Sequence, residues 1–181
     1  MKDHKLLFPI IISLLILNFN SGCINIKNED KRITYEYIVE ISNYTGKHGY
    51  TIYAPFPIYN DEYNREIFQH LIFTRGQGSL EIVLTPYGYA LNITSNENLS
   101  VMSKGDTKEH MFHYVLSMFN YTSSENVMRY WFYSDINNSS LEIRVVFRIS
   151  ASHSETYFEI MGTLYQGWQL INGTIENIQK D

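Results

Sequence analysis

The segment Ile33–Ile41 (ITYEYIVEI) decides the fold class, because its residues alternate between two sets with a period of two. The odd positions are all apolar or aromatic, and the even positions carry Thr34, Glu36 and Glu40. A period of two places the odd-numbered side chains on one face of a strand, whereas a helix would spread them around its surface. The segment therefore predicts a half-buried β-strand.

Similar short runs, separated by turns rich in Gly, Pro, Asn and Ser, follow along the chain. They are Tyr50–Ile58, Leu80–Thr85, Tyr89–Thr94, Leu99–Ser103, Val127–Tyr133, Leu141–Ile149, Thr156–Leu164 and Trp168–Ile175, the last four forming a meander. Pro55 and Pro57 lack the N–H of a ladder donor, so the first run is an edge strand or a strand leaving its sheet. We expect mostly β structure: a single antiparallel β-sandwich-like domain over residues 33–181, with about eight or nine strands and an aromatic-rich core.

Two segments break this rhythm. Apolar residues recur at helical spacing between Asp61, which can cap a helix, and Gly76, which can end one, and we predict one short helix over about residues 61–74. Glu109–Tyr121 is ambiguous, because its start resembles a capping box while its aromatic residues alternate as in a strand. We favour a strand there, and helix is the alternative.

The N-terminus has the form of a secretory signal. Met1–Lys5 carries two lysines, Leu6–Leu17 is an uncharged apolar run of twelve residues, and small polar residues follow. This run is shorter than the about 20 residues that a spanning helix needs, and it contains Pro9. We therefore predict a cleaved signal peptide over residues 1–22.

The end of this leader, Ser21-Gly22-Cys23, resembles the lipobox of prokaryotic lipoproteins, and the N-terminus as a whole is similar to that of archaeal-type lipoproteins. The resemblance implies a lipid on the sulfur of Cys23 and a place on the extracytoplasmic face of the cell membrane. Ile24–Arg32 is polar and charged without an apolar period, so we predict a polar tether over residues 23–32, with a frayed domain terminus as the alternative. Asn20 departs from the pattern, which usually has an aliphatic residue there. Cys23 is the only cysteine, so no internal disulfide can use it. Plain secretion and an uncleaved anchor are the alternatives.

Asn-X-Ser/Thr sequons support the same location. Seven occur, where the 16 Asn and 27 Ser and Thr residues of the chain would give about two by chance. Counting Asn137 and Asn138 as one, the N-glycosylation candidates are Asn43, Asn92, Asn98, Asn120, Asn138 and Asn172. A genome biased towards Asn codons is the alternative explanation.

The search for catalytic or metal-binding patterns is mostly negative. His110 and His113 would share a face on a helix but point apart on a strand, so we expect no metal site and no cofactor. We find no nucleophile elbow and no phosphate-binding loop, and we expect no enzymatic activity. The net charge of −5 disfavours nucleic acid as a partner.

The most informative stretch for function is Arg129–Tyr133 (RYWFY), in which aromatic residues occupy both faces of a strand. Because a two-layer fold cannot easily bury both faces, one aromatic pair is expected to be exposed. The possible binding aromatics are Tyr130, Trp131, Tyr133 and Trp168; a covered strand face and a core position for Trp168 are the alternatives. The resulting hypothesis is a lipid-anchored domain that binds carbohydrate or a surface protein, or has a structural role. A secreted hydrolase of surface polysaccharide and a metal-handling lipoprotein are the rivals.

Overall fold

The computed structural model describes residues 33–107, 115–122, 127–137 and 139–179, which belong to one compact unit dominated by strands. Its single helix among these residues is α1, Arg65–Gln69. The strands are β1 Ile33–Ser42, β2 Tyr50–Pro55, β3 Pro57–Tyr59, β4 Glu62–Tyr63, β5 Ile72–Arg75, β6 Ser79–Thr85, β7 Gly88–Ser95, β8 Leu99–Thr107, β9 Val115–Leu116, β10 Phe119–Thr122, β11 Val127–Ser134, β12 Leu141–Ser150, β13 Ser154–Leu164 and β14 Gly167–Gln179. The predicted mostly-β class is confirmed.

One large antiparallel sheet curls into a half-barrel, so the predicted sandwich and strand count are wrong. Its strands follow one hydrogen-bonded path, β5-β8-β1-β12-β13-β14-β11-β2-β7-β6, and β10 adds to β11. Because strands twist and the path is continuous, the sheet bends around its own core and does not split into two facing layers. In the described part of the chain a second sheet consists of β4, β3 and β9, which are too short to show a period of two in the sequence.

The predicted meander is correct for three of its four strands. β12, β13 and β14 pair in order, but β11 pairs with the far side of β14 and not with β12. The reason lies in the link that follows β11. Asp135 accepts a hydrogen bond from Thr51 N and donates its own N–H to Thr51 O, and Ile136 is buried in the core. These contacts hold the chain against β2, away from the path of a direct hairpin between β11 and β12.

The two prolines after Tyr50 act as expected for a strand that leaves its sheet. β2 lies between β11 and β7 in the large sheet and ends at Pro55. Phe56 is fully buried, and the chain then enters the small sheet at Pro57. β2 is therefore an internal strand, and the edge-strand alternative is wrong.

The helix is shorter than the predicted 61–74. Asn64, not Asp61, caps it: its side chain accepts a hydrogen bond from Ile67 N, whereas Asp61 has a positive φ of 62° in the preceding turn. At the other end the segment from Ile72 pairs with β8 and becomes β5. The helical spacing covers little more than one turn, and strand pairing determines the rest.

The ambiguous segment 109–121 lies partly outside the described residues. In its described part the favoured strand assignment is correct, since Val115–Leu116 and the start of Phe119–Thr122 are strands β9 and β10. Met118 between them has a φ of 59°, a left-handed conformation that separates the two strands.

Alternation along the strands builds an aromatic core inside the half-barrel. The odd-numbered residues of Ile33–Ile41 are buried as predicted. Tyr37 packs edge-on against Phe56 and Phe147, with ring centroids 5.2 and 6.3 Å apart, and its hydroxyl donates to Pro55 O at 2.6 Å. This bond supplies the polar partner that a buried tyrosine needs.

Candidate functional site

The outer face of the sheet, which points away from the core, carries two different surfaces. The first is a cluster of five aromatic rings on adjacent parts of β2, β11 and β14 and on the β6–β7 turn. We call it the aromatic surface; it consists of Tyr53, Tyr87, Trp131, Tyr133 and Trp168. Both tryptophans of the chain belong to it.

Strand alternation sorts the aromatic residues of β11 between the two faces. Tyr130 and Phe132 are 1% and 0% exposed and lie in the core, whereas Trp131 and Tyr133 are partly exposed on the outer face. The prediction of Tyr130 as a binding aromatic is therefore wrong, since a ligand cannot reach its buried ring. Burial also raises the pKa of Tyr130 to about 12.

Strand register explains why the outer rings meet. Tyr133 stands opposite Trp168 on β14 and opposite Tyr53 on β2, so three aromatic residues form a row across three neighbouring strands. Their ring centroids lie 5.3 Å (Tyr133–Trp168), 5.0 Å (Tyr53–Tyr133) and 6.0 Å (Tyr53–Trp168) apart. These are the separations at which aromatic pairs attract each other.

The remaining two rings extend this row. Tyr87 stacks on Trp131 with 4.2 Å between centroids and 14° between planes, and meets Trp168 edge-on at 4.8 Å. A tight turn presents Tyr87: the hydroxyl of Thr85 donates to Gly88 O and accepts from Tyr87 N. Gly88 has a φ of 113°, which L side chains rarely adopt.

The aromatic surface remains open to solvent in part. Tyr87 is 38% exposed, and so is Leu170, which stands opposite Trp131 on β14. Three of the five rings are tyrosines, so hydroxyl groups accompany the flat apolar faces. Such a surface can stack against a flat ligand and hydrogen bond to it at the same time.

The second surface of the outer face is ionic and lies on β8, β1, β12 and β13. We call it the charged surface. It comprises Glu36, Glu40, Lys104, Arg144, Arg148, Glu155 and Glu159. Arg144 bridges two glutamates, with 3.1 Å to Glu40 and 2.8 Å to Glu159, and hydrogen bonds to them raise the pKa of its guanidinium.

A shallow polar pocket of about 190 Å³ lies within the charged surface. Its two carboxylates, Glu36 and Glu155, contact the same guanidinium: Arg148 Nη1 is 3.1 Å from Glu36, and Arg148 Nε is 3.2 Å from Glu155 without hydrogen-bond alignment. A glycosidase needs free space for the sugar between its two carboxyl groups. Here Arg148 occupies that space, so the pocket offers no support for hydrolysis.

The described histidines belong to no group of side chains that could hold a metal ion. His110 and His113 lie outside the described residues. Within the described residues no group of three or more His, Cys, Asp or Glu side chains could hold a metal ion. His70 instead ends α1 and contacts the hydroxyl of Tyr35 through Nδ1 at 3.0 Å.

The asparagines of the described sequons differ in their exposure to solvent. Asn43, Asn98, Asn120 and Asn172 are exposed, whereas Asn92 is half-buried and its Oδ1 is buried without a hydrogen-bond partner in the described part of the chain. Cys23 and Asn138 lie outside the described residues. Lipidation and glycosylation therefore stay predictions.

Two members of the aromatic surface, Tyr53 and Tyr87, were not identified from the sequence. Alternation of Tyr50–Pro55 places Tyr53 opposite the core face, which is a signal, but nothing local indicates that β2 pairs with β11. Tyr87 lies in a Pro-Tyr-Gly turn, where an aromatic residue has no period to follow.

No protein-family model matches the chain, and neither a curated protein nor a solved structure matches it significantly. Among the residues that the structure describes, no helix is long and apolar enough to cross a membrane.

Proposed function

We propose that the protein is a lipid-anchored, extracytoplasmic domain that binds carbohydrate at the cell surface through its aromatic surface. One observation carries the proposal: both tryptophans and three tyrosines cluster on the outer face of the sheet, not in the core. The leader and Cys23 support the location.

The contrast between the two halves of the outer face supports a binding role. The charged surface shows how this sheet meets water elsewhere, with ion pairs across neighbouring strands. The aromatic surface leaves large apolar rings partly in water, including Tyr87 and Trp131. Contiguous exposed apolar area on a soluble domain is typical of an interaction site.

The composition of the aromatic surface favours carbohydrate as the ligand. A sugar ring has an apolar C–H face that stacks on an aromatic ring, and hydroxyls at its rim that need hydrogen-bond partners. The aromatic rings offer flat faces for the C–H face of the sugar, and the hydroxyls of Tyr53, Tyr87 and Tyr133 offer hydrogen bonds to the sugar hydroxyls. No ionic group of the charged surface is required, so uncharged sugars fit best.

Intrinsic fluorescence tests the proposal directly, because both tryptophans report from the aromatic surface. Detergent-solubilised protein is titrated with uncharged hexasaccharides of glucose, N-acetylglucosamine and mannose while Trp emission is recorded. We expect at least one to change the emission, and Tyr133→Ala, which keeps both tryptophans, to weaken its binding about tenfold.

Tyr165→Ala is the matched control, since Tyr165 is 59% exposed and has no part in the five-ring cluster. It is expected to bind like the native protein. An emission spectrum unmoved by all three sugars, or equal weakening in both variants, contradicts carbohydrate binding at this surface.

A further inference from the structure

Two of the exposed sequons are placed symmetrically about one tryptophan. On β11, Arg129 pairs with Asn120 of β10 on one side and with Asn172 of β14 on the other. Trp131 follows two residues later on the same outer face, since Phe132 and Tyr130 point into the core. Trp131 is therefore a diagonal neighbour of both asparagines.

Diagonal neighbours on adjacent strands lie about 7–8 Å apart, within reach of long side chains. The asparagine amide with its first sugar is longer than any natural side chain of this sheet. Asn120 and Asn172 are both exposed, so a sugar on either can lie along the outer face towards Trp131. Leu170, next to Asn172 on that face and opposite Trp131, gives this sugar an exposed apolar contact.

Among the described residues, Asn43, Asn92 and Asn98 do not share this arrangement. Asn43 and Asn98 lie near each other elsewhere, since the N–H of Tyr44, the residue after Asn43, donates to Asn98 Oδ1 at 2.9 Å. Asn92, on β7, stands opposite Tyr53 of β2, but the Oδ1 atom of Asn92 is buried. A glycan on Asn92 would have to leave from a half-buried amide beside the aromatic row, so the folded chain disfavours it.

We infer that N-linked glycans on Asn120 and Asn172 flank Trp131 and limit access of ligands to the aromatic surface. The inference rests on the extracytoplasmic location in the proposed function and adds a means of regulation to the same site. Partial glycosylation would then produce forms of the protein with different affinities.

The modification needs a lipid-phosphate-linked oligosaccharide as donor. Asparagine Nδ2 forms a bond to the anomeric carbon of the first sugar while the bond from that carbon to the phosphate oxygen breaks. The lipid phosphate leaves with the electron pair, and Nδ2 loses one proton to solvent. No redox step is involved.

The experiment uses full-length protein isolated from the membranes of its own host. Peptide mass mapping locates the glycans and the state of Cys23, and acrylamide quenching of Trp emission measures access to the aromatic surface. The expected result is glycan on Asn120 and Asn172, none on Asn92, and quenching about twofold stronger in the N120Q/N172Q variant.

Two further variants keep the result interpretable. Thr45→Ala removes the Asn43 sequon away from the aromatic surface, without placing a new residue at the positive φ of Asn43, and is expected to leave quenching unchanged. Thr174→Ala removes the Asn172 sequon without altering Asn172 itself, and is expected to raise quenching even if the double variant fails to fold.

The outcomes separate this inference from the proposed function. A lipidated Cys23 with unmodified Asn120 and Asn172 overturns the inference and leaves the location standing. Glycans at both sites with unchanged quenching in the variants overturn the regulatory role. An unmodified chain that begins at Met1 overturns the location and the inference together.

Discussion

The ring of Tyr87 covers the indole of Trp131, with 4.2 Å between centroids and 14° between planes. The two residues lie 44 positions apart, one in a hairpin turn and one inside a strand of the large sheet. Tyr87 therefore ties the β6–β7 hairpin to β11, and it also controls how much of the Trp131 ring meets solvent.

Replacing Tyr87 with Ala is expected to open Trp131 and to weaken the fold slightly. An aromatic pair contributes about 0.5–1.5 kcal/mol beyond its area burial, and the variant loses that burial too, so we expect a fall of at least about 1 kcal/mol in the free energy of unfolding. Trp emission should shift to longer wavelength. Urea denaturation followed by fluorescence measures both, with Tyr165→Ala as a control that changes neither. An unshifted spectrum in Tyr87→Ala would show that the stack does not shield Trp131.

The parts of this fold that follow a local period could be predicted from the sequence. Alternation in Ile33–Ile41 predicted a half-buried strand, and alternation in Arg129–Tyr133 separated Trp131 and Tyr133 from Tyr130 and Phe132. Alternation alone did not predict whether the Trp131–Tyr133 pair or the Tyr130–Phe132 pair faces the core, because both pairs are aromatic. That choice is made by the strands on either side of β11.

The parts that depend on pairing between distant segments could not be predicted. Tyr53 joins Tyr133 across 80 positions because β2 lies next to β11, and no residue of either strand specifies the other. The curling of the sheet has the same origin, since a half-barrel and a sandwich bury the same alternating residues. The predicted helix is too long because Ile72, which fits the helical spacing in the sequence, pairs with β8 as part of strand β5.

Gly173 is expected to tolerate no larger side chain. A Cβ atom there would lie 2.6 Å from Cε2 of Tyr130 and 3.1 Å from Cγ1 of Ile160, both in the core. Overpacking a core typically costs about 1–3 kcal/mol, so Gly173→Ala should lower the free energy of unfolding by this amount. Chemical denaturation measures the loss.

A double-mutant cycle identifies the contact. Because leucine lacks the ring atoms that the added methyl group would meet, the loss caused by Gly173→Ala should shrink when Tyr130 is already replaced by Leu. Additive losses in the double variant would mean that the Tyr130 ring is not the obstacle.

The ion pairs of the charged surface are expected to contribute little. Arg144 is 39% exposed, and exposed pairs typically contribute about 0–1 kcal/mol, so Arg144→Gln should cost less than about 1 kcal/mol. The loss should diminish in 1 M salt, which screens charges. Lys104→Gln, whose amine lies 3.9 Å from Glu36, is the control and should change still less. A large loss that salt does not reduce would indicate that Arg144 acts through packing.

Alkaline pH is expected to destabilise the protein through its buried tyrosines. Burial raises the pKa of Tyr37 well above 10, and it is the main cause that raises the pKa values of Tyr50 and Tyr130 to about 12. Below pH 10 both folded and unfolded chains keep these phenolic protons, so the stabilisation is complete. Between pH 10 and 12 the unfolded chain loses them first, and the free energy of unfolding falls by at most about 1.4 kcal/mol per pH unit for each such tyrosine.

Denaturation at pH 9, 10 and 11 measures this slope, and the near-ultraviolet absorbance of phenolate follows the ionisation. Tyr37→Phe removes one titrating group, so its slope should be smaller. At pH 9 the variant should be less stable than the native protein, because the hydroxyl no longer bonds to Pro55 O and that carbonyl loses its donor. A stability that stays constant from pH 9 to 11 would mean that these tyrosines ionise as easily in the folded protein as in the unfolded chain.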